Sequence, residues 1–120
     1  MNQRTITALL LSVIILCGSL SLFGEEKWAP DFIIVGAQKA ATGSLREMII
    51  QHPNIVFSYK REVHFFDFRF SKGETWYRKQ FPKRPSKEHL IGEKSPYYLV
   101  HPLVPKRVFS LYPNVKIIAI

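Results

Sequence analysis

The chain has 120 residues, 47% of them hydrophobic and 13% aromatic, and carries a net charge of +8. That hydrophobic content excludes a disordered chain, and once the apolar N-terminal stretch is set apart roughly 90 residues remain, room for one domain at most. The only cysteine, Cys17, excludes an intrachain disulfide and a cysteine-rich metal site. His52, His64, His89 and His101 have no i, i+4 spacing, so no metal is expected.

From Ile6 to Phe23 no residue is charged, with Arg4 before the run and Glu25-Glu26 after it. Residues 1–24 therefore read as a secretory signal peptide or a signal anchor, and 25–30 as a linker. Small residues at Ser19 and Ser21 permit cleavage, while the length of the run suits a single span with the N-terminus in the cytoplasm; both readings stand. The body of the chain is then secreted or membrane-anchored, in the Golgi lumen if the source is eukaryotic.

The body, 31–120, opens with Phe32-Ile33-Ile34-Val35, four apolar residues that predict a fully buried strand over Asp31 to Gly36. Ser44 to His52 reads as a helix, with Leu45, Met48 and Ile49 on one face, a capping box between Ser44 and Glu47, and Pro53 as its stop. Ile55 to Tyr59 follows as a short strand, then a loop from Lys60 to Arg69. Glu74 to Phe81 reads as a short helix in which Trp76, Tyr77 and Phe81 are core residues. His89 to Glu93 is a strand stopped by Ser95-Pro96. Val104 to Leu111 is a helix with Pro105 in its first turn, and Val115 to Ile120 a last buried strand. Strands alternating with helices predict an α/β fold with a parallel sheet and flanking helices.

Between the first strand and the first helix lies Gly36-Ala-Gln-Lys-Ala-Ala-Thr-Gly-Ser44. Backbone N–H groups at such a helix start, with the Lys39 ammonium, make an anion site of phosphate size. The loop is P-loop-like in position but lacks the Gly-Lys-Ser/Thr of a Walker A motif, which disfavours an ATPase or a GTPase, and Ile117 to Ile120 supplies no Walker B aspartate for a nucleotide kinase. From Lys60 to Lys87 nine Lys or Arg face Glu62, Asp67 and Glu74, a balance of +6 that favours an acidic partner.

Two further segments, Lys60-Arg61-Glu62-Val63-His64-Phe65-Phe66-Asp67 and Gly92-Glu93-Lys94-Ser95-Pro96-Tyr97-Tyr98, come in an order that resembles the sulfotransferases using 3′-phosphoadenosine 5′-phosphosulfate (PAPS). Asp31 to Ile120 is most similar to their heparan sulfate branch, the glucosaminyl 3-O type above all, and Val104-Pro105-Lys106-Arg107 resembles a helix start of that group. The resemblance implies the N-terminal part of a sulfotransferase fold and transfer of a sulfuryl group from PAPS to a hydroxyl or amine of an acidic polysaccharide. No nucleic acid partner and no metal are implied.

It also implies roles. Gln38, Lys39, Ala40, Ala41, Thr42, Gly43 and Ser44 would form the phosphosulfate loop, with Lys39 on the bridging oxygen. Glu62 would be the general base, with His64 and Lys94 beside it in catalysis; Lys60, Arg61, Asp67 and Lys94 would meet the acceptor. Val63, Phe65 and Phe66 are candidates to lift the Glu62 pKa, against Lys60 and Arg61, which oppose it. Glu93 is expected to be a partly buried partner of a basic group. Ala40 and Ala41 depart from the family, where glycines are common, and the Arg and Ser that hold the donor's 3′-phosphate would fall after Ile120. A truncated, non-catalytic polyanion-binding module is the alternative.

Overall fold

The computed structural model describes residues 30–120; the expected signal or anchor at 1–24 and most of the linker lie outside the described residues. Four strands, β1 (Phe32–Gly36), β2 (Ile55–Phe57), β3 (Leu90–Lys94) and β4 (Lys116–Ala119), form one sheet in the order β2-β3-β1-β4, with every pairing parallel. Parallel neighbours need crossovers, supplied by the helices α1 (Thr42–Ile49), α2 (Glu74–Arg78) and α3 (Val104–Leu111) and the loops around them. The expected α/β architecture is present.

Alternation along β1 divides the core. Ile33 and Val35 join Val63, Phe65, Phe66, Tyr77, Ile91, Tyr98, Val104 and Val108 on one face, while Phe32 and Ile34 meet Phe57, Leu45 and Ile49 on the other. Aromatic rings fill much of the first face: Phe65 stacks on Tyr77 with centroids 4.4 Å apart, and Phe66 meets Tyr98 edge-on at 5.6 Å. Trp76, Tyr77 and Phe81 belong to this packing, as the sequence suggested.

Several boundaries and exposures differ from the sequence reading. Helix α1 starts at Thr42, two residues early, because Ala41 takes a left-handed conformation (φ 58°) at its N-cap. Ser44 is then inside the helix, the capping box with Glu47 does not form, and Glu47 instead pairs with Arg46 at 3.0 Å. Met48 is 70% exposed, so Leu45 and Ile49, with the Arg46 guanidinium 4.8 Å over the Phe57 ring, hold α1 to the sheet. β4, expected to be buried, is an edge strand with Ile117 54% exposed: it pairs with β1 on one side only.

Two glycines fix how the strands approach. A Cβ on Gly36 (φ 157°) would lie 2.7 Å from Leu99 Cβ and 2.9 Å from the Pro96 carbonyl, so the end of β1 passes directly against the turn that follows β3. Gly92 stands opposite Phe32 in the β1–β3 register, and a Cβ there would fall within the Phe32 ring. Because β1 and β3 are parallel neighbours, with Ile34 opposite Lys94, the loop after β1 and the segment after β3 emerge at the same edge of the sheet. That is the edge at which open α/β sheets bind ligands.

Candidate functional site

The loop leaving β1 turns through left-handed conformations at Lys39 (φ 65°) and Ala41 (φ 58°). The first helical bond of α1 runs from the Leu45 N–H to the Ala41 carbonyl, 3.0 Å, and no side chain caps the helix. The N–H groups of Thr42, Gly43 and Ser44 therefore precede the first closed turn and point out of its end. Gln38 and Lys39 are exposed, Ala40 is half-buried and Thr42 is buried. A Cβ built on Gly43 would sit 3.4 Å from Arg61 Nη2, which places that guanidinium beside the same turn. Arg61, expected from the resemblance to meet the acceptor, thus lies by the anion loop, 3.7 Å from Glu47.

Glu62, His64, Asp67 and Lys94 form one chain of contacts. Lys94 Nζ donates to Glu62 Oε1 at 2.6 Å, His64 Nε2 lies 3.1 Å from Glu62 Oε2, and His64 Nδ1 lies 2.7 Å from Asp67 Oδ2. Lys94 is buried, with 4% of its side chain exposed; Glu62 keeps 36% and so opens the cluster to solvent. The Asp67 carboxylate is fully enclosed, and its second oxygen accepts the Phe68 N–H at 2.6 Å. Asp67 therefore fixes the His64 ring, and His64 with Lys94 holds both oxygens of Glu62.

Burial alone would raise the Glu62 pKa, but the hydrogen bond and charge of Lys94, followed by those of His64, outweigh it and hold the carboxyl below its usual range. The apolar residues expected to lift it do not surround it: Val63, Phe65 and Phe66 point into the core, each 0% exposed. Lys60 is turned toward Trp76, 5.3 Å above the ring, where Lys72 also lies at 5.6 Å.

Glu93 differs more sharply from expectation. It is 0% exposed and is held by hydroxyls rather than by a basic group: Tyr77 OH donates to Oε2 at 2.5 Å and Ser95 Oγ to Oε1 at 3.2 Å. Burial pushes its pKa up to about 7, against the pull of these bonds. Ser95, read from the sequence as a strand stop, and Tyr98 both stand in the Lys94-Ser95-Pro96-Tyr97-Tyr98 segment. Tyr98 is 1% exposed, and its hydroxyl accepts from the Phe65 N–H at 2.8 Å. Among the described residues no cluster of His, Cys, Asp and Glu has a metal-holding arrangement, and no helix is long and apolar enough to cross a membrane.

No family model matches the chain. Among curated proteins it is 34% identical over 97 residues to the membrane-associated sulfotransferase kil1 of Dictyostelium discoideum, covering 79% of this chain and 21% of that one. It is 38% identical over 93 residues to human heparan sulfate glucosamine 3-O-sulfotransferase 5, covering 76% of this chain and 26% of that protein, and 35% identical over 105 residues to the human 3A1 enzyme, covering 86% and 25%. The chain thus spans about a quarter of the length of the curated relatives it matches. A crystal structure of a sulfotransferase from Alicyclobacillus acidocaldarius superposes with a TM-score of 0.65 at 30% identity, over 77% of this chain and 44% of that one. Sequence and fold agree that this stretch belongs to the sulfotransferase family.

Proposed function

We propose that this chain contributes the donor loop and the acceptor-activating carboxylate of an enzyme that transfers a sulfuryl group from PAPS to a hydroxyl or amine of an acidic, heparan sulfate-like polysaccharide. The observation that carries this reading is the position of Glu62, held by Lys94 and His64 at the sheet edge where the β1 loop emerges. The donor set fits a phosphosulfate: three uncapped amides at Thr42, Gly43 and Ser44, the exposed Lys39 and the neighbouring Arg61 supply positive charge, and no carboxylate stands in the Gln38–Ser44 loop itself.

In such a transfer the acceptor oxygen or nitrogen forms a bond to sulfur as the bond from sulfur to the bridging phosphate oxygen breaks, with nucleophile and leaving oxygen in line. Lys39 stabilises the charge that gathers on the departing oxygen. Glu62 takes the proton of the acceptor group, and His64, oriented by Asp67, steadies the carboxylate as it changes charge. Lys94 keeps Glu62 ionised before the acceptor arrives. The basic residues Lys60 and Lys72, gathered over Trp76, suit an acidic glycan.

The test uses the full protein with sulfur-labelled PAPS and compares wild type, Lys39→Ala and Glu62→Gln on heparosan-type and simple alcohol acceptors. Transfer is expected to fall at least about a hundredfold in both variants with folding unchanged. Full transfer by Glu62→Gln removes that residue from the base role, and binding of the glycan without any transfer favours the non-catalytic module.

A further inference from the structure

Residues 62–67 form neither helix nor strand, yet four successive backbone amides of this loop are claimed by two side-chain hydroxyls. The N–H groups of Val63 and His64 both donate to Ser95 Oγ, at 3.1 Å each. Those of Phe65 and Phe66 both donate to Tyr98 OH, at 2.8 and 3.3 Å. A hydroxyl that receives two N–H groups must direct its own proton elsewhere. Ser95 donates to Glu93 Oε1, and the other oxygen of Glu93 takes the Tyr77 proton. Glu93, Ser95 and Tyr77 are 0% exposed and Tyr98 1%, so no solvent can replace any of these bonds.

From this arrangement we infer that Glu93 is a positioning residue for the Glu62–His64 pair: by accepting the Ser95 proton it orients that hydroxyl oxygen toward the Val63 and His64 amides and so holds the loop that carries the base. The role rests on the function proposed above for Glu62. With its own proton given to Glu93, the Ser95 hydroxyl oxygen is left to accept, which is what two N–H groups require. His64 shows what is being held, since its backbone sits at φ 52°, a left-handed conformation that a side chain rarely adopts without external support. Turning either hydroxyl around would leave two buried amides without a partner.

Hydrogen exchange of the peptide spanning 62–68 and steady-state kinetics, both on the full chain, test the inference in Glu93→Gln, Ser95→Ala and Ser95→Thr. Glutamine keeps the shape of Glu93 but aims an NH2 at one of the hydroxyls. Glu93→Gln and Ser95→Ala are expected to speed exchange in the loop about tenfold or more and to lower kcat about tenfold to a hundredfold, with donor KM within about twofold. Ser95→Thr restores both. Unchanged loop exchange in Ser95→Ala, or failure of threonine to restore it, overturns the inference. If Glu93→Gln does not fold, Ser95→Ala carries the test through the loss of one hydroxyl. Full turnover by Glu62→Gln would instead sink the base assignment, and the exchange readout would still decide whether Glu93 holds the loop.

Discussion

Lys94 Nζ lies 2.6 Å from Glu62 Oε1, joining a buried ammonium at the end of β3 to a carboxylate 32 residues earlier on an irregular loop. The pair holds Glu62 as an anion and also weakens it as a base, because the same ammonium that ionises it lowers its affinity for a proton. Under the proposed function, an acceptor hydroxyl entering between Glu62 and the donor loop would compete with Lys94 for the carboxylate oxygen.

Substituting Lys94 with methionine should therefore move the acid limb of the pH profile. In the proposed role Glu62 must be deprotonated to act, so activity is expected to fall as pH drops through its pKa. Removing the lowering influence of Lys94 raises that pKa, and the acid limb of kcat/KM shifts to higher pH, with lower activity on the acid side. An acid limb unmoved in Lys94→Met would separate Lys94 from the ionisation of Glu62.

Glu93 should make stability depend on pH in the opposite sense from a salt-bridged acid. Its folded pKa of about 7 lies above the ordinary value of 4.5, so between these values the folded state holds more protons than the unfolded one, and stability falls as pH rises. The loss across that window is roughly 3 kcal/mol. Thermal melts from pH 4 to pH 8 should show this slope in wild type and a flatter one in Glu93→Gln.

Tyr98→Phe removes the oxygen that receives the Phe65 and Phe66 amides and leaves no cavity, since the ring that meets Phe66 edge-on is kept. Two buried N–H groups lose their acceptor at a cost of about 2 to 4 kcal/mol. Urea unfolding should show a lower midpoint with an unchanged m-value.

At Ala41, a side chain is held at φ 58°, where a Cβ costs about 1 kcal/mol or more relative to glycine. Ala41→Gly is expected to raise stability by about 0.5 kcal/mol after the greater freedom of glycine in the unfolded chain is subtracted. A loss of stability in urea titration would show that the alanine methyl makes a packing contribution larger than its backbone cost.

What the sequence made legible follows from local physics. Phe32-Ile33-Ile34-Val35 has no polar face and had to be buried; Pro105 and the spacing of Val104 and Val108 located α3; and the Gly36 to Ser44 loop could be placed between a strand and a helix. What depends on backbone angle or on distant partners could not be read. The left-handed Ala41 moved the start of α1 and abolished the Ser44–Glu47 box. Glu93 is expected from the sequence to have a cationic partner because a buried carboxylate usually has one, whereas two hydroxyls, from Tyr77 and Ser95, share it. Arg61 turned toward Gly43 for a tertiary reason that spacing along the chain does not encode.

The contact of Gly92 with the Phe32 ring acts as a key that admits one alignment of β3 on β1. Slippage by a single position would exchange the places of Glu93 and Lys94, turning the ammonium toward the aromatic interior and the hydroxyl-bound carboxylate toward the opposite side. Such a molecule would still show a folded sheet by circular dichroism yet be chemically silent. Bulk at position 92 therefore threatens the fidelity of assembly as well as the strength of the fold.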